Sequence, residues 1–229
     1  MYSIKNDIFL VEEERKKILI EHSNKRCNYS NTFKDYNDYI YYQTNQGLSF
    51  ESQHEKWTEG QKKYINKKFK DIDKNAYILD VCCGDGTSFE IFESMGFKNV
   101  LGIEICDDKI ERCQKIIEKC KYDYKVIKKD ICLSPFFDEQ FKYDVIYSSH
   151  TLEHVLDPEF TLRNIMKVLN PNGLFFLILP YPESSCNNPN DDHRYKIHCG
   201  GMYLGLNCFD TGNSTMKILF NLGFEIIDV

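Results

Sequence analysis

The sequence lacks a long hydrophobic run, a secretory signal and an excess of positive charge. No apolar stretch approaches the roughly 20 residues of a membrane-spanning helix, and the longest, residues 174–179, suits a buried strand. The N-terminus lacks the apolar segment of a signal peptide, so we expect a cytoplasmic protein without a membrane span. The formal net charge of −6 argues against nucleic acid as a partner, although it leaves room for a local basic patch.

The ten cysteines lack the spacing of a metal site or a disulfide framework. Cys82 and Cys83 are adjacent, and no two cysteines have the C-x-x-C spacing that is typical of zinc-ligand pairs. Structural disulfides are rare in the reducing compartment that we expect for a chain without a signal peptide. We therefore predict that most of the cysteines are small buried hydrophobic residues.

Composition and periodicity divide the chain into two parts. Residues 1–70 contain helical patterns at 12–20 and 55–70, and we predict that they form an N-terminal helical cap. Residues 71–229 alternate short apolar strands with helices, which indicates βαβ units and a parallel sheet. The cap also carries a tyrosine-rich patch that either packs against the main domain or forms an aromatic wall of a substrate pocket: Tyr36, Tyr39, Tyr41 and Tyr42.

The second part is predicted to contain six strands and four helices. The strands lie at 77–81, 100–103, 124–127, 143–147, 173–179 and 224–229, and the helices at 87–95, 107–119, 158–169 and 214–222. Asp157 is the predicted N-cap of the third of these helices, with Pro158 at its first position. The strand at 173–179 is apolar throughout, so we expect it to be central in the sheet.

The end of the first predicted strand has the features of a nucleotide-binding loop. Residues 80–86 read DVCCGDG, and the two glycines allow a tight turn and the close approach of a ligand. Glu104 closes the next strand, where a carboxylate can accept both ribose hydroxyls of an adenosine. A dinucleotide site would need a third glycine at position 89, which is Phe89, so the loop is not shaped for a pyrophosphate.

Residues 57–229 resemble the class I S-adenosylmethionine-dependent methyltransferases, of the small-molecule and ubiquinone-pathway type. Five segments match that family in order: 80–86, with Cys82 in place of the first glycine; 102–104; 129–131; 143–155; and 168–176, with Asn172 in place of a glycine. The resemblance implies a Rossmann-like α/β fold, with a doubly wound, mostly parallel sheet flanked by helices. It also implies S-adenosylmethionine as the cofactor.

The resemblance further implies which residues contact the cofactor. Asp80 would order the loop or meet the cofactor's amino group, Glu104 would bind the ribose, and Asp130 would meet the adenine amino group. The full predicted set is Asp80, Cys82, Gly84, Gly86, Glu104, Ile105, Asp130, Ile131 and Ser148.

His150, Glu153 and His154 are the predicted catalytic residues, because they follow the fourth strand near the expected position of the methyl group. Their spacing puts them on one face of a short helix. That face could supply a general base, or be a plain solvent-facing helix start. It could also hold a divalent metal with His193 or His198. The metal version resembles the Glu-x-x-Glu-His pattern of metal-dependent relatives, but His150 replaces the first Glu, and we do not favour it.

Two further segments complete the expected site. Residues 190–201 form a long polar stretch, which we interpret as a substrate-specificity loop whose Arg194 and Lys196 could receive an anionic group. Residues 53–57 could close the cofactor pocket or simply belong to the core and the cap. The family's sheet ends with an antiparallel seventh strand that this sequence lacks before Val229. We therefore expect either a truncated chain or an incomplete sheet edge that another segment or chain covers.

Together these patterns predict an S-adenosylmethionine-dependent methyltransferase that O-methylates a small molecule or a glycan-like or lipid-like acceptor. Two alternatives remain open, an RNA-modifying methyltransferase and a non-catalytic interaction module with the same fold. The sequence identifies neither the acceptor nor the oligomeric state.

Overall fold

The computed structural model describes residues 12–26, 33–44, 50–133, 141–179 and 215–228. No helix within these ranges is long and apolar enough to cross a membrane. The elements, in chain order, are α1 (Glu12–Arg26), α2 (Tyr36–Thr44), α3 (Phe50–Lys68), β1 (Tyr77–Val81), α4 (Thr87–Ser94), β2 (Asn99–Glu104), α5 (Asp107–Ile117), β3 (Lys125–Lys128), β4 (Tyr143–Ser149), α6 (Pro158–Val168), β5 (Leu169–Ile178) and α7 (Thr215–Asn221).

The strands form one sheet in the order β3-β2-β1-β4-β5, and all of the described strand pairs are parallel. The chain builds outward from β1 to β3 and then crosses back to place β4 on the other side of β1. This reversal is the switch point at which open α/β sheets bind ligands, beyond the carboxyl ends of the strands. The predicted α/β fold with a doubly wound parallel sheet is confirmed.

Two predictions about the last strands are wrong. β5 is not central, because within the described sheet it pairs with β4 alone. Residues 174–178 of β5 are apolar although they are only partly buried, so hydrophobicity did not distinguish an edge position from a central one. Residues 224–228 form no strand. Instead, Phe224 packs its ring against Phe175 of β5, with centroids 5.5 Å apart.

The two faces of the sheet carry separate clusters of buried side chains, because successive strand residues point to opposite faces. Leu79 of β1 belongs to one cluster together with side chains from α1, α2 and α6. The preceding residue, Ile78, belongs to the other cluster together with side chains from α3 and α4. The N-terminal helices therefore share both cores with the sheet.

Polar contacts fix the position of α1 against the start of α6. Asp157 caps α6 as predicted, with its carboxylate accepting a bond from the Phe160 amide at 3.0 Å. The buried Arg15 of α1 donates to the Cys132 carbonyl at 2.8 Å and pairs with Asp157 at 3.6 Å. Its guanidinium also lies 3.9 Å from the centroid of the Phe160 ring. One cation from the N-terminal part thus joins two loops of the sheet domain.

Candidate functional site

A cavity of about 500 Å³ opens at the carboxyl ends of the strands, beside the switch point between β1 and β4. Its volume lies within the range of small-molecule and cofactor pockets. The residues after β1, β2, β3 and β4 form its floor, and side chains of α2 and α3 form one wall. The cavity therefore lies where the topology of the sheet predicts a ligand.

Most of the predicted cofactor-binding residues line this cavity: Asp80, Cys82, Gly84, Glu104, Ile105, Asp130 and Ile131. Gly86 and Ser148 do not belong to the lining. Ser148 is fully buried in β4, and its hydroxyl has no partner among the described residues. The neighbouring Ser149 faces the cavity instead. Successive side chains of a strand point to opposite faces, so an error of one residue in the prediction selects a core residue in place of the residue that lines the cavity.

The Glu104 carboxylate joins the end of β2 to the glycine loop that follows β1. One of its oxygens accepts the Gly84 amide at 3.0 Å. The other accepts the amides of Ile105 at 2.9 Å and Cys106 at 3.1 Å. A carboxylate offers about four acceptor positions, so one remains after these three bonds. Glu104 is thus both a fixed part of the backbone turn and an available acceptor at the cavity surface.

Asp80 lies at the base of the loop, where it is buried and accepts a hydrogen bond from the Ser88 hydroxyl. Burial raises the pKa of Asp80 to about 7; the charge of Glu104 adds to the rise, and the bond from Ser88 opposes it. A protonated carboxyl is therefore the main form below neutral pH. A cationic group bound in the cavity would favour the ionised form.

The glycine loop contains three residues with positive φ, namely Cys82 at 58°, Gly84 at 60° and Gly86 at 87°. Cys82 occupies the position where the sequence resemblance expects a glycine, and the left-handed backbone explains that preference. An L-residue with a Cβ pays roughly 1–2 kcal/mol in this conformation. Asn172 likewise replaces a glycine that the resemblance expects, and it also has a positive φ of 62°.

Asp130, immediately after β3, is held at both carboxylate oxygens. The Cys132 amide donates to one oxygen at 2.9 Å, and the Tyr36 hydroxyl of α2 donates to the other at 2.8 Å. Burial raises the pKa of Asp130, and these two bonds oppose the rise. Within the tyrosine-rich patch, Tyr36 and Tyr39 are both buried in the core, Tyr39 also lines the cavity, and Tyr41 is exposed.

The predicted catalytic residues meet around one buried carboxylate. Glu153 is 1% exposed, and one of its oxygens lies 3.2 Å from Nδ1 of His150 and 3.7 Å from Nε2 of His154. Its second oxygen has no partner among the described residues. Both histidines line the cavity, whereas Glu153 lies behind them.

The segment that carries these residues is not the short helix that we predicted. Residues 152–154 form a turn, and His150 has a left-handed φ of 53°. The His150 amide donates to the Ile178 carbonyl at 3.0 Å, which ties the turn to the end of β5. The turn still brings both imidazoles to the same carboxylate.

The residues of the predicted metal site lie only partly within the described ranges. Within the described ranges, no group of three or more His, Cys, Asp or Glu side chains could hold a metal ion. His193, His198 and the whole predicted specificity loop at 190–201 lie outside the described residues, as do the side chains of residues 53–57.

Several lining residues were not identified from the sequence. Gln43 and Thr44 of α2 and Thr58 and Gln61 of α3 contribute polar groups to one wall. Gln61 also donates to the Ser149 hydroxyl at 3.4 Å. Isolated Gln and Thr residues on helices carry no motif, and only the packing of α2 and α3 against the sheet brings them to the cavity.

The two loop glycines have different surroundings, and this predicts different effects of alanine. At Gly86, a Cβ would lie 2.7 Å from Sγ and 3.0 Å from Cα of Cys113, whereas at Gly84 it would meet nothing within 4 Å. We expect Gly84→Ala to cost about 1 kcal/mol of stability from backbone strain, and Gly86→Ala to cost at least about 3 kcal/mol because overpacking adds to strain. Urea denaturation measures both, and equal losses would contradict this assignment.

The raised pKa of Asp80 predicts a pH-dependent stability. The unfolded chain releases this proton near the ordinary value of 3.8, whereas the folded protein retains it up to about pH 7. Asp80 therefore contributes stability that is fully present below pH 3.8 and is lost as the pH rises to about 7, by at most about 1.4 kcal/mol per pH unit. As the pH rises from 3.8 to about 7, the free energy of unfolding of Asp80→Asn, measured by urea denaturation, should increase relative to that of the unsubstituted protein. Above about pH 7 the difference between the two proteins should stay constant. Parallel pH curves would contradict the prediction.

A family model, curated relatives and solved structures all relate this chain to methyltransferases. The model of a methyltransferase domain family matches residues 51–229, well over half of the chain. A sterol 24-C-methyltransferase of Clavispora lusitaniae is 27% identical over 227 residues, which cover 94% of this chain and 58% of the relative. A ubiquinone biosynthesis O-methyltransferase of Pelagibacter ubique is 32% identical over 106 residues, 45% of this chain and 42% of the relative.

The chain spans about half the length of the curated relatives that it matches, between 38% and 58%. Among solved structures, a putative methyltransferase from Bacillus halodurans superposes with a TM-score of 0.55 at 20% identity, covering 71% of this chain and 68% of that one. This likeness supports the fold, and the family match confirms the resemblance that the sequence motifs predict.

Proposed function

Because this chain belongs to the methyltransferase domain family, we propose that it transfers a methyl group from S-adenosylmethionine to a hydroxyl of a small-molecule acceptor. The observation that carries the proposal is the group of carboxylates at the carboxyl end of the sheet. Glu104 and Asp130 face one cavity together with the glycine loop, at the switch point of the fold.

The residues present fit an adenosine-containing cofactor. Glu104 retains an acceptor position for a ribose hydroxyl, and the open space beside Gly84 allows a ligand to approach the backbone closely. Asp130 would meet the adenine amino group, and Asp80 the amino group of the methionyl portion. The lining residues Cys82, Ile105 and Ile131 would contribute apolar contacts. Gly86 would act by shaping the loop, and Ser148 by packing behind it.

S-adenosylmethionine, when bound, supplies a methyl group that is already activated on a sulfonium. The protein therefore has to orient the acceptor and exclude water, since alignment of the reactants lowers the barrier by several kcal/mol. Tyr39, Gln43 and Thr44 from α2 and Gln61 from α3 form the wall opposite the strand ends. In this proposal, residues 1–70 are a cap that completes the acceptor pocket on the methyltransferase domain of residues 71–229.

His150 is the proposed general base. Its Nδ1 lies 3.2 Å from the Glu153 carboxylate. With the Nδ1 proton donated to that carboxylate, Nε2 is the unprotonated nitrogen of the neutral imidazole and would accept the proton that the acceptor hydroxyl releases. Glu153 would then stabilise the imidazolium, and His154, whose Nε2 lies 3.7 Å from the same oxygen, would share its charge. This role requires no metal, and the acceptor oxygen would take the methyl group as it loses its proton.

An RNA acceptor is a second candidate, because three cationic side chains line the cavity. Lys109, Arg112 and Lys129 lie on the side of Ile105 and Asp130. A mobile RNA end could use such charges, and its binding would weaken steeply with salt. We favour the small molecule because the chain as a whole carries a net charge of −6.

Cofactor binding is tested by calorimetric titration with S-adenosylmethionine and S-adenosylhomocysteine. We expect binding by the unsubstituted chain and at least about tenfold weaker binding by Glu104→Ala, since hydrogen bonds to charged groups contribute roughly 1.5–3 kcal/mol.

Asp144→Ala is the matched control for the Glu104 variant. Asp144 accepts bonds from the Tyr77 amide and the Asn170 side chain near the amino ends of β1 and β4, away from the cavity lining, so its loss should leave binding unchanged. Absence of binding by the unsubstituted chain at high micromolar ligand would refute the proposal. Unchanged affinity in Glu104→Ala would remove that residue from the site.

The role of His150 is tested by methyl transfer from radiolabelled S-adenosylmethionine to a protein-free extract of small molecules. His150→Gln should lower the rate by about 10²-fold or more, while the affinity for S-adenosylhomocysteine stays the same, because a positioned base contributes to the chemical step. His22→Gln, on α1 and outside the cavity lining, is the control. A full rate in His150→Gln would exclude His150 as the base.

A further inference from the structure

A hydrogen bond from α2 reaches a carboxylate that lines the cavity. The Tyr36 hydroxyl of α2 donates to Asp130, 94 residues further along the chain, at 2.8 Å. Tyr36 itself is 7% exposed, and Asp130 lines the cavity next to Lys129 and Ile131. A buried tyrosine hydroxyl needs a hydrogen-bond partner, and a backbone carbonyl would be sufficient. Here the partner is a carboxylate that lines the cavity.

The bond completes the orientation of the Asp130 side chain. With the Cys132 amide on Oδ1 and the Tyr36 hydroxyl on Oδ2, the plane of the carboxylate is fixed from two sides. Each carboxylate oxygen has two acceptor positions, so each retains one after these bonds. Asp130 therefore presents a fixed pair of acceptors to whatever lies beside it in the cavity.

We propose that Tyr36 is a specificity-determining residue, which positions Asp130 so that the site accepts a purine with an amino group and rejects one with a carbonyl at the same position. The proposal rests on the proposed function, in which Asp130 meets the adenine amino group. Tyr36 acts through Asp130 and does not touch the cofactor, so it is a positioning residue.

The discrimination follows from hydrogen-bond polarity. An adenine amino group donates to a carboxylate, whereas hypoxanthine presents a carbonyl oxygen there, and two acceptors then face each other. A carboxylate that is fixed on both oxygens cannot rotate away from the carbonyl, so the mismatch retains its full cost. Without the Tyr36 hydroxyl, Oδ2 loses the donor that the structure describes for it, and the carboxylate can turn toward other partners.

Tyr36→Phe removes the hydroxyl while it keeps the packing of the ring. That ring stacks edge-on against Tyr39, with centroids 5.3 Å apart, and lies 5.9 Å from the Lys16 ammonium. Both contacts use the ring alone, so the position of α2 should persist in the variant. The comparison therefore isolates the hydroxyl, which bonds to Asp130 and also interacts with the Cys132 side chain.

The experiment compares S-adenosylhomocysteine with its deaminated analogue, S-inosylhomocysteine, by calorimetric titration. We expect the unsubstituted protein to prefer the adenine compound by at least about tenfold, the value of one charge-assisted hydrogen bond. In Tyr36→Phe the preference should fall to about threefold or less, mainly through weaker binding of S-adenosylhomocysteine.

Tyr124→Phe is the matched control. Tyr124 is another buried tyrosine, and its hydroxyl donates to the Phe97 carbonyl at 2.5 Å just before β3, at the amino end of the strand and away from the cavity lining. Its loss should lower the melting temperature without a change in the ratio of the two affinities. In an Asp130→Asn background, addition of Tyr36→Phe should change the ratio no further.

The outcomes separate this inference from the proposed function. If the protein binds S-adenosylhomocysteine but prefers it equally in Tyr36→Phe and in the unsubstituted form, the role of Tyr36 is overturned. If the unsubstituted protein binds both compounds equally, Asp130 does not read the purine, and the inference fails while cofactor binding stands. If neither compound binds, both proposals fail together.

Discussion

The candidate site depends on the three backbone amides that donate to the Glu104 carboxylate. Through them, a single side chain at the end of β2 fixes its own turn and the glycine loop of the neighbouring strand. An unpaired charge at a position that is 4% exposed would be costly, so the carboxylate and the loop stabilise each other. The rest of the cavity floor is built around this junction.

The loop around Glu104 combines strain with close packing. Cys82, Gly84 and Gly86 all have positive φ, and the Cys83 amide donates to the Ile103 carbonyl at 3.0 Å. Beneath the loop, Gly86 lies against Cys113 of α5, with no room for a Cβ. The two glycines of the loop therefore have different roles, because Gly84 borders the cavity and Gly86 allows the loop to contact α5. The left-handed Cys82 persists because the surrounding bonds determine the backbone.

The N-terminal helices contribute to the cavity as well as to the core. α2 supplies a buried tyrosine that bonds to Asp130 and several side chains that line the cavity wall, and α3 adds Thr58 and Gln61. On the other side, the turn after β4 holds two histidines on one buried carboxylate. The cavity is thus enclosed by segments that are distant in the chain, and its polar wall differs from its carboxylate-bearing floor.

Local patterns in the sequence were sufficient for the fold class, the glycine loop, the carboxylate after β2 and the Asp157 cap, because each depends on neighbouring residues. Periodicity and turn chemistry encode such features directly. Three features departed from those patterns, since strand order and backbone φ are set by packing. They are the position of β5, the absence of a strand over residues 224–228 and the turn at 152–154. No local signal predicted the bond from Tyr36 to Asp130 or the polar wall of α2 and α3. The same holds for the Glu153 oxygen that lacks a partner among the described residues. The sequence by itself thus determined the strand-end residues that face the cavity, whereas the partners of those residues were decided only by tertiary packing, which joins segments as far as 94 residues apart.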